Sequence, residues 1–254
     1  MNNKVLTPTI KITLAALFIV LAMICQKLLA FNYVIPFLRI SFAGPAVIIF
    51  ASVFLGPWYG LAVGMFSDIL GYFIFDPRNN SFFPQITLIY ALLGFVSYFI
   101  FKFVMKYFDE DNTKIIYTTL LVMAVVCLLL VVWLLPSLEL YGNVYTLQIW
   151  EKALITVGLL ALTSGLWAFT FLYSRKKERR FSVYKVSYAL LLIEVFVMVL
   201  FGTTMKGLAF GFSIYPVILL CQACVLFINI PLNTVFISIL TDILKRKKYD
   251  VPGI

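Results

Sequence analysis

Two carboxylates stand where water has little access. Asp68 and Glu194 each lie inside a long apolar stretch of the 254-residue chain, and an unpaired carboxylate at membrane depth costs about 2.5 to 3.5 kcal/mol on insertion scales. Each must be paired, protonated or open to a cavity. Asp68 is suited to accept hydrogen bonds from the N–H groups of a heteroaromatic ligand, or to pair with Arg39 or Lys27 and so fix helices. Glu194 can do either job, or carry a proton in a secondary carrier. Other chemistries have little to work with. The chain has no His, and its four Cys (Cys25, Cys127, Cys221, Cys224) all fall in apolar stretches. The CxxC of Cys221 and Cys224 has no second ligand pair, so a structural role is expected and no metal site. No phosphate-binding Gly-rich loop, dinucleotide motif or Ser nucleophile elbow occurs. No cofactor and no ATPase of its own are expected, and any uphill movement must draw energy from a partner or an ion gradient.

The elements that position these groups are membrane helices. About 63% of the residues are hydrophobic and 12% charged, against roughly 45–50% and 25% in a soluble domain. The long Leu/Ile/Val/Phe runs lack the alternation of a transmembrane barrel. The expected fold is all-α, a polytopic helical bundle forming a single membrane domain over 1–254. Apolar segments lie near 8–30, 41–55, 57–75, 85–106, 115–136, 150–173, 184–202 and 212–244, which makes about eight spans. The second is short and ends at Gly56, where Pro57 can open the next helix because a first-turn residue needs no N–H. The last carries Pro216 and Pro231, so a kink or tilt is expected there.

Charge sets the orientation. Lys4, Lys11, Lys102, Lys106, Lys114, the five cations of the Arg175 to Arg180 run, Lys185 and the four from Lys245 to Lys248 fall on one side of this threading, fifteen of the twenty Lys and Arg. Lys27, Arg39, Arg78, Lys152 and Lys206 fall on the other. The positive-inside rule therefore places both termini in the cytoplasm of a multi-pass plasma-membrane protein. The net charge of +9 is explained by loops facing anionic headgroups, so the lipid bilayer is the expected partner and nucleic acid is not. The first apolar run is too long for a signal-peptide core, and no small-residue cleavage site follows it.

The polar residues between about 27 and 90 carry a recognisable pattern. The segment LRISFAGPAVIIFASVFLGPWYGLAVGMFSDILGYFIFDP followed by NNSFFPQITL resembles the substrate-binding S component of energy-coupling factor (ECF) vitamin transporters, most closely the folate subgroup. Arg39 to Phe42, Gly56-Pro57 with Gly60, Gly64 with Asp68, Gly71, and Phe82 to Leu88 carry the resemblance over residues 10–105. A weaker likeness resumes at Phe196 to Lys206, Tyr215-Pro216 and Ile228 to Thr234. Family members usually have six spans. The resemblance therefore divides the chain into core helices 1–4 over 1–112, an inserted helical hairpin with a basic linker over 113–183, and the last two core helices with a basic tail over 184–254. Lys27 stands where the folate subgroup has Arg, and Gln85 where its loop has Gly.

The resemblance implies a protein that captures a vitamin, with a folate first in line, from outside. A separate transmembrane coupling protein with two cytoplasmic ATPases would drive its import. It brings Lys27, Arg39 and Lys206 around an outward-facing pocket, where an anionic ligand is the simplest client; the plainer alternative is that each cation snorkels to headgroups. Phe82, Phe83, Tyr90 and Tyr215 would flank that pocket and stack on a flat ring, with loop 76–84 as a lid, unless they serve only as an interfacial belt or packing. Docking to the coupling protein would use the small-residue face of the first helix, at Ala15, Ala16 and Val20. Gly60 and Gly64 have a spacing that lets helices approach closely. The competing functions are a proton-coupled secondary carrier, which internal symmetry of two halves would favour, and a membrane scaffold or lipid-modifying enzyme using Asp, Glu and Arg alone.

Overall fold

A computed structural model describes residues 7–27, 30–32, 39–41, 44–75, 82–134, 137–140, 143–146, 148–174, 183–211 and 215–246. Arg78 and the basic run from Arg175 to Arg180 lie outside them, as does most of the expected lid.

The first helix, α1 (Pro8–Lys27), has 20 residues, about the 30 Å of a bilayer core at 1.5 Å per residue. A two-stranded antiparallel ribbon follows, β1 (Ala30–Asn32) with β2 (Arg39–Ser41), in a register that sets Asn32 opposite Arg39. Helix α2 (Gly44–Leu55) has only 12 residues, all of them buried. At about 18 Å it falls short of a crossing. Its all-round hydrophobicity is explained by enclosure instead, since α1 and three later helices, α3 (Pro57–Phe75), α4 (Pro84–Tyr107) and α9 (Tyr215–Arg246), pack around it. Gly56, with φ of 112°, makes the reversal into α3 in a conformation that side chains resist, and Pro57 is the first residue of α3 as expected.

Helices α3 and α4 form the tightest pair. A methyl group on Gly64 would overlap the Tyr90 carbonyl, and one on Gly94 the Gly60 carbonyl, so the two backbones touch where hydrogen replaces a side chain. The pair owes its contact to three glycines, of which the Gly60 and Gly64 spacing was legible in the sequence.

Helices α5 (Glu110–Leu134) and α6 (Ile149–Ser174) are joined by a second ribbon, β3 (Ser137–Leu140) with β4 (Asn143–Thr146). They pack on each other, on α7 (Val183–Ile193) and, through α6, on α9. Their outward faces expose Val122, Val126, Leu130, Leu154, Val157 and Trp167. Lys152 donates from Nζ to the Trp133 carbonyl at 3.2 Å. It thus serves the C-terminal end of α5, where a positive charge is favourable.

From α7 the chain continues without a break through a π-helical segment (Glu194–Phe201) into α8 (Gly202–Phe210). Helix α9 bends by 43° between its arms Ile218–Phe227 and Asn229–Thr241. Pro231 accounts for the bend, because it has no N–H for the Phe227 carbonyl and its ring crowds the preceding turn.

Among the described residues six helical spans are long and apolar enough to cross a membrane, or seven when the two arms of α9 count as one. The chain is a transmembrane helical bundle. Relative to the expected eight spans, α2 is the exception in length. The two short ribbons were not anticipated, since three or four residues of strand leave no trace in a hydropathy pattern.

Candidate functional site

Two groups of polar side chains stand out among the described residues, one where α3 meets the start of α4 and one where the π-helical segment meets α9. Thr87, in the first turn of α4, donates its hydroxyl to Oδ2 of Asp68 at 2.6 Å, and both residues are buried. The short charge-assisted bond ties the third helix to the fourth. One turn further along α3, Gly71 receives the stem of Lys27, whose Cε lies 2.8 Å from where a Cβ would be. Lys27 is thus laid across α3 on the side that carries Asp68. Arg39 is placed by the β1–β2 ribbon, which packs against α1.

Across α4 lies a cleft lined by Pro45, Ile86, Ile89, Tyr90, Glu194, Met198, Lys206, Gln222, Val225 and Asn229. Its volume of about 40 Å³ is enough for a few waters, whereas drug-sized ligands occupy pockets of roughly 300 to 1,000 Å³. A drug-sized ligand enters only if the surrounding helices part. Glu194 is 2% exposed and begins the π-helical segment. Asn233 donates Nδ2 to its Oε1 at 3.3 Å, and Asn229, one turn earlier on α9, lines the same cleft. Lys206, half-buried midway along α8, is close enough to interact with Glu194 electrostatically. The lining is otherwise apolar, with Tyr90 offering an aromatic face. Local geometry makes this possible. A π turn carries one residue more than an α turn and is a frequent mark of a functional position, and the α9 bend falls at Asn229.

Of the residues singled out from the sequence, Tyr90, Glu194 and Lys206 line this cleft, while the stem of Lys27 lies against Gly71, one turn from Asp68 on α3. Phe83 caps the start of α4, where its carbonyl accepts from the Ile86 N–H, and Tyr215 opens α9. Phe82 departs from expectation. Its ring stacks on Phe73 and tilts against Tyr72, so it packs on the end of α3 and does not line the cleft. Ala15 also departs, being 7% exposed and part of the core, while Ala16 and Val20 face outward beside Leu17. Consecutive helical residues point about 100° apart, so the three cannot share one docking face. Thr87, Gln222, Asn229 and Asn233 were not singled out in advance. The available signal was two Asn four residues apart in the apolar helix around INIPLNT.

The family model described as ECF transporter, substrate-specific component, matches residues 10–173. The chain belongs to this family. It is therefore a multi-pass membrane protein and the substrate-binding part of an ECF transporter, not its ATPase, and it works with transmembrane and ATPase components and a small-molecule substrate. Comparison with curated proteins and with solved structures gives no match.

Proposed function

We propose that this S component captures an anionic vitamin, a folate first among the candidates, from the outer face of the plasma membrane. A coupling protein carrying two cytoplasmic ATPases then drives import. The observation that carries the reading is the cleft between α2, α4, α8 and α9. There a buried carboxylate, an ammonium group, two amides and an aromatic face converge in an otherwise apolar wall, the composition of a small-molecule site. Lys27 and Arg39, on α1 and the ribbon packed against it, add positive charge for the ligand's acid groups. Asp68 braces the third and fourth helices or reads the ligand's ring. Phe83 and Tyr215, at the openings of α4 and α9, flank the entry.

The cleft is assembled by α2, α4, α8 and α9, and the Lys27 group by α1, α3 and α4. Among the described residues α5 and α6 line neither, and we read them as a hairpin beside the substrate-holding helices, within the stretch that the family model matches. The charge asymmetry supports both termini on the cytoplasmic side.

Mass spectrometry of the small molecule that co-purifies with the detergent-solubilised protein tests the substrate class. Titration calorimetry with folic acid, reduced folates, pantothenate and riboflavin then ranks the candidates. Arg39→Ala is expected to weaken folate binding by about two to three decades, the cost of leaving a desolvated charge without its partner, and Arg39→Lys to restore it in part because the bidentate fork is lost. Unchanged binding by Arg39→Ala removes that residue from the site.

A further inference from the structure

The corner where α4 ends and α5 begins is hollow. Helix α5 leaves it to pack on α6 and α7, and the space has a volume of about 270 Å³, lined by Tyr107, Phe108, Asp109, Asn112, Ile115 and Ile116. That is several times the volume of the cleft and close to the roughly 300 Å³ at which small-molecule sites begin.

The apolar part of the lining continues beyond the hollow. The Tyr107 and Phe108 rings both lie against Phe103, with centroids 5.2 and 5.7 Å away. Phe103 is exposed, as is Phe99 one turn earlier on α4, and Ile115 is exposed on α5. In a membrane-spanning helix such a row faces hydrocarbon. The polar part is different in kind. Asp109 gives its main-chain carbonyl to the N–H and hydroxyl of Thr113, but among the described residues neither its carboxylate nor the carboxamide of Asn112 has a partner, and both residues are exposed. Lys106 stands three residues before Asp109, also exposed, with Nζ 4.8 Å from the centroid of the Tyr107 ring. A cation and an anion without partners of their own thus flank an apolar wall that runs out along the bundle's surface.

The geometry points to a binding site for one phospholipid with a zwitterionic, primary-ammonium headgroup, of the phosphatidylethanolamine type. Its phosphate sits beside Lys106, its ammonium donates to the Asp109 carboxylate and the Asn112 carboxamide oxygen, and an acyl chain lies along Phe103 and Phe99. Charge decides between headgroups. An anionic headgroup without an amine brings a second negative charge to Asp109, which Glu110 and Asp111 follow in the chain, and like charges repel. A choline headgroup has no N–H, whereas a primary ammonium has three donors for the waiting oxygens, and such charge-assisted bonds are the strong ones. The site is separate from the cleft and does not depend on which substrate the cleft takes.

The test is native mass spectrometry of the full-length protein in detergent, titrated separately with dioleoyl phosphatidylethanolamine, phosphatidylcholine and phosphatidylglycerol. One phosphatidylethanolamine per protein is expected, bound at least about tenfold more tightly than either of the others. Asp109→Asn should bring it down to the level of phosphatidylcholine, while Lys106→Met should weaken both by the same factor. Thermal melting checks that both variants are folded. Binding of phosphatidylcholine or phosphatidylglycerol as tight as that of phosphatidylethanolamine overturns the inference, and so does a preference that survives Asp109→Asn in a folded protein. Displacement of the lipid by an equal concentration of free O-phosphoethanolamine would also overturn it, because the apolar wall would then hold no chain.

Discussion

The hydroxyl of Thr87 donates to the carboxylate of Asp68 across the α3–α4 interface at 2.6 Å, with both side chains buried. One short bond thus gives an intramembrane acid a fixed direction, and it does so in the first turn of α4. Removing the donor should cost what a hydrogen bond to a charged group contributes, about 1.5 to 3 kcal/mol. Thr87→Val should lower thermal stability in detergent, and Thr87→Ser should restore most of it. Identical melting of Thr87→Val and the parent would mean that the bond contributes nothing net.

The glycine contacts separate packing from spacing. Gly94→Ala drives a methyl into the Gly60 carbonyl, while Gly158 and Gly165 on α6 have nothing within 4 Å of an added Cβ. Gly94→Ala is expected to destabilise by about 1 to 3 kcal/mol or more, as overpacking does. Gly158→Ala and Gly165→Ala are expected to be neutral or slightly stabilising, because alanine is the better helix former. Thermal denaturation of the three variants side by side checks the contrast.

Neighbouring alanines on α1 should behave in opposite ways. Ala16 faces outward and Ala15 is in the core. Ala16→Trp should block assembly with the coupling protein while ligand affinity stays within a few-fold, because helices in lipid associate through close contact of small side chains. Ala15→Trp should impair folding itself. Pull-down of the coupling protein together with calorimetry distinguishes the two. Intact assembly with Ala16→Trp would move docking to another face.

Orientation has its own test. A single Cys at position 178, in the run from Arg175 to Arg180, is expected to resist a membrane-impermeant thiol reagent in intact cells and to react in inverted vesicles, as the charge asymmetry requires. Labelling from outside would reverse the threading.

How far the sequence could be read depended on the kind of signal. The bundle was legible because hydropathy is summed over some twenty residues, and Glu194 because a carboxylate in an apolar run has an unavoidable cost. Asn229 and Asn233 escaped notice, although two amides one turn apart beside Pro231 suit a pairing with that same carboxylate. The π-helical segment has no marker in EVFVMVLF, since its extra residue per turn comes from packing and not from local propensity. Phe82 and Ala15 show the remaining gap. Position along the chain placed Phe82 near the entry and Ala15 beside Ala16, but only the rotation of each element decides which way a side chain faces.

The most direct measurement is uptake of radiolabelled folate into proteoliposomes, comparing this chain alone with the chain co-reconstituted with its coupling protein and ATPases. The account predicts that the chain alone binds folate but accumulates none, even under an imposed pH gradient, and that concentrative uptake appears only with the partners and ATP. Accumulation by the chain alone, driven by the pH gradient, would contradict it and make Glu194 the proton site of a secondary carrier.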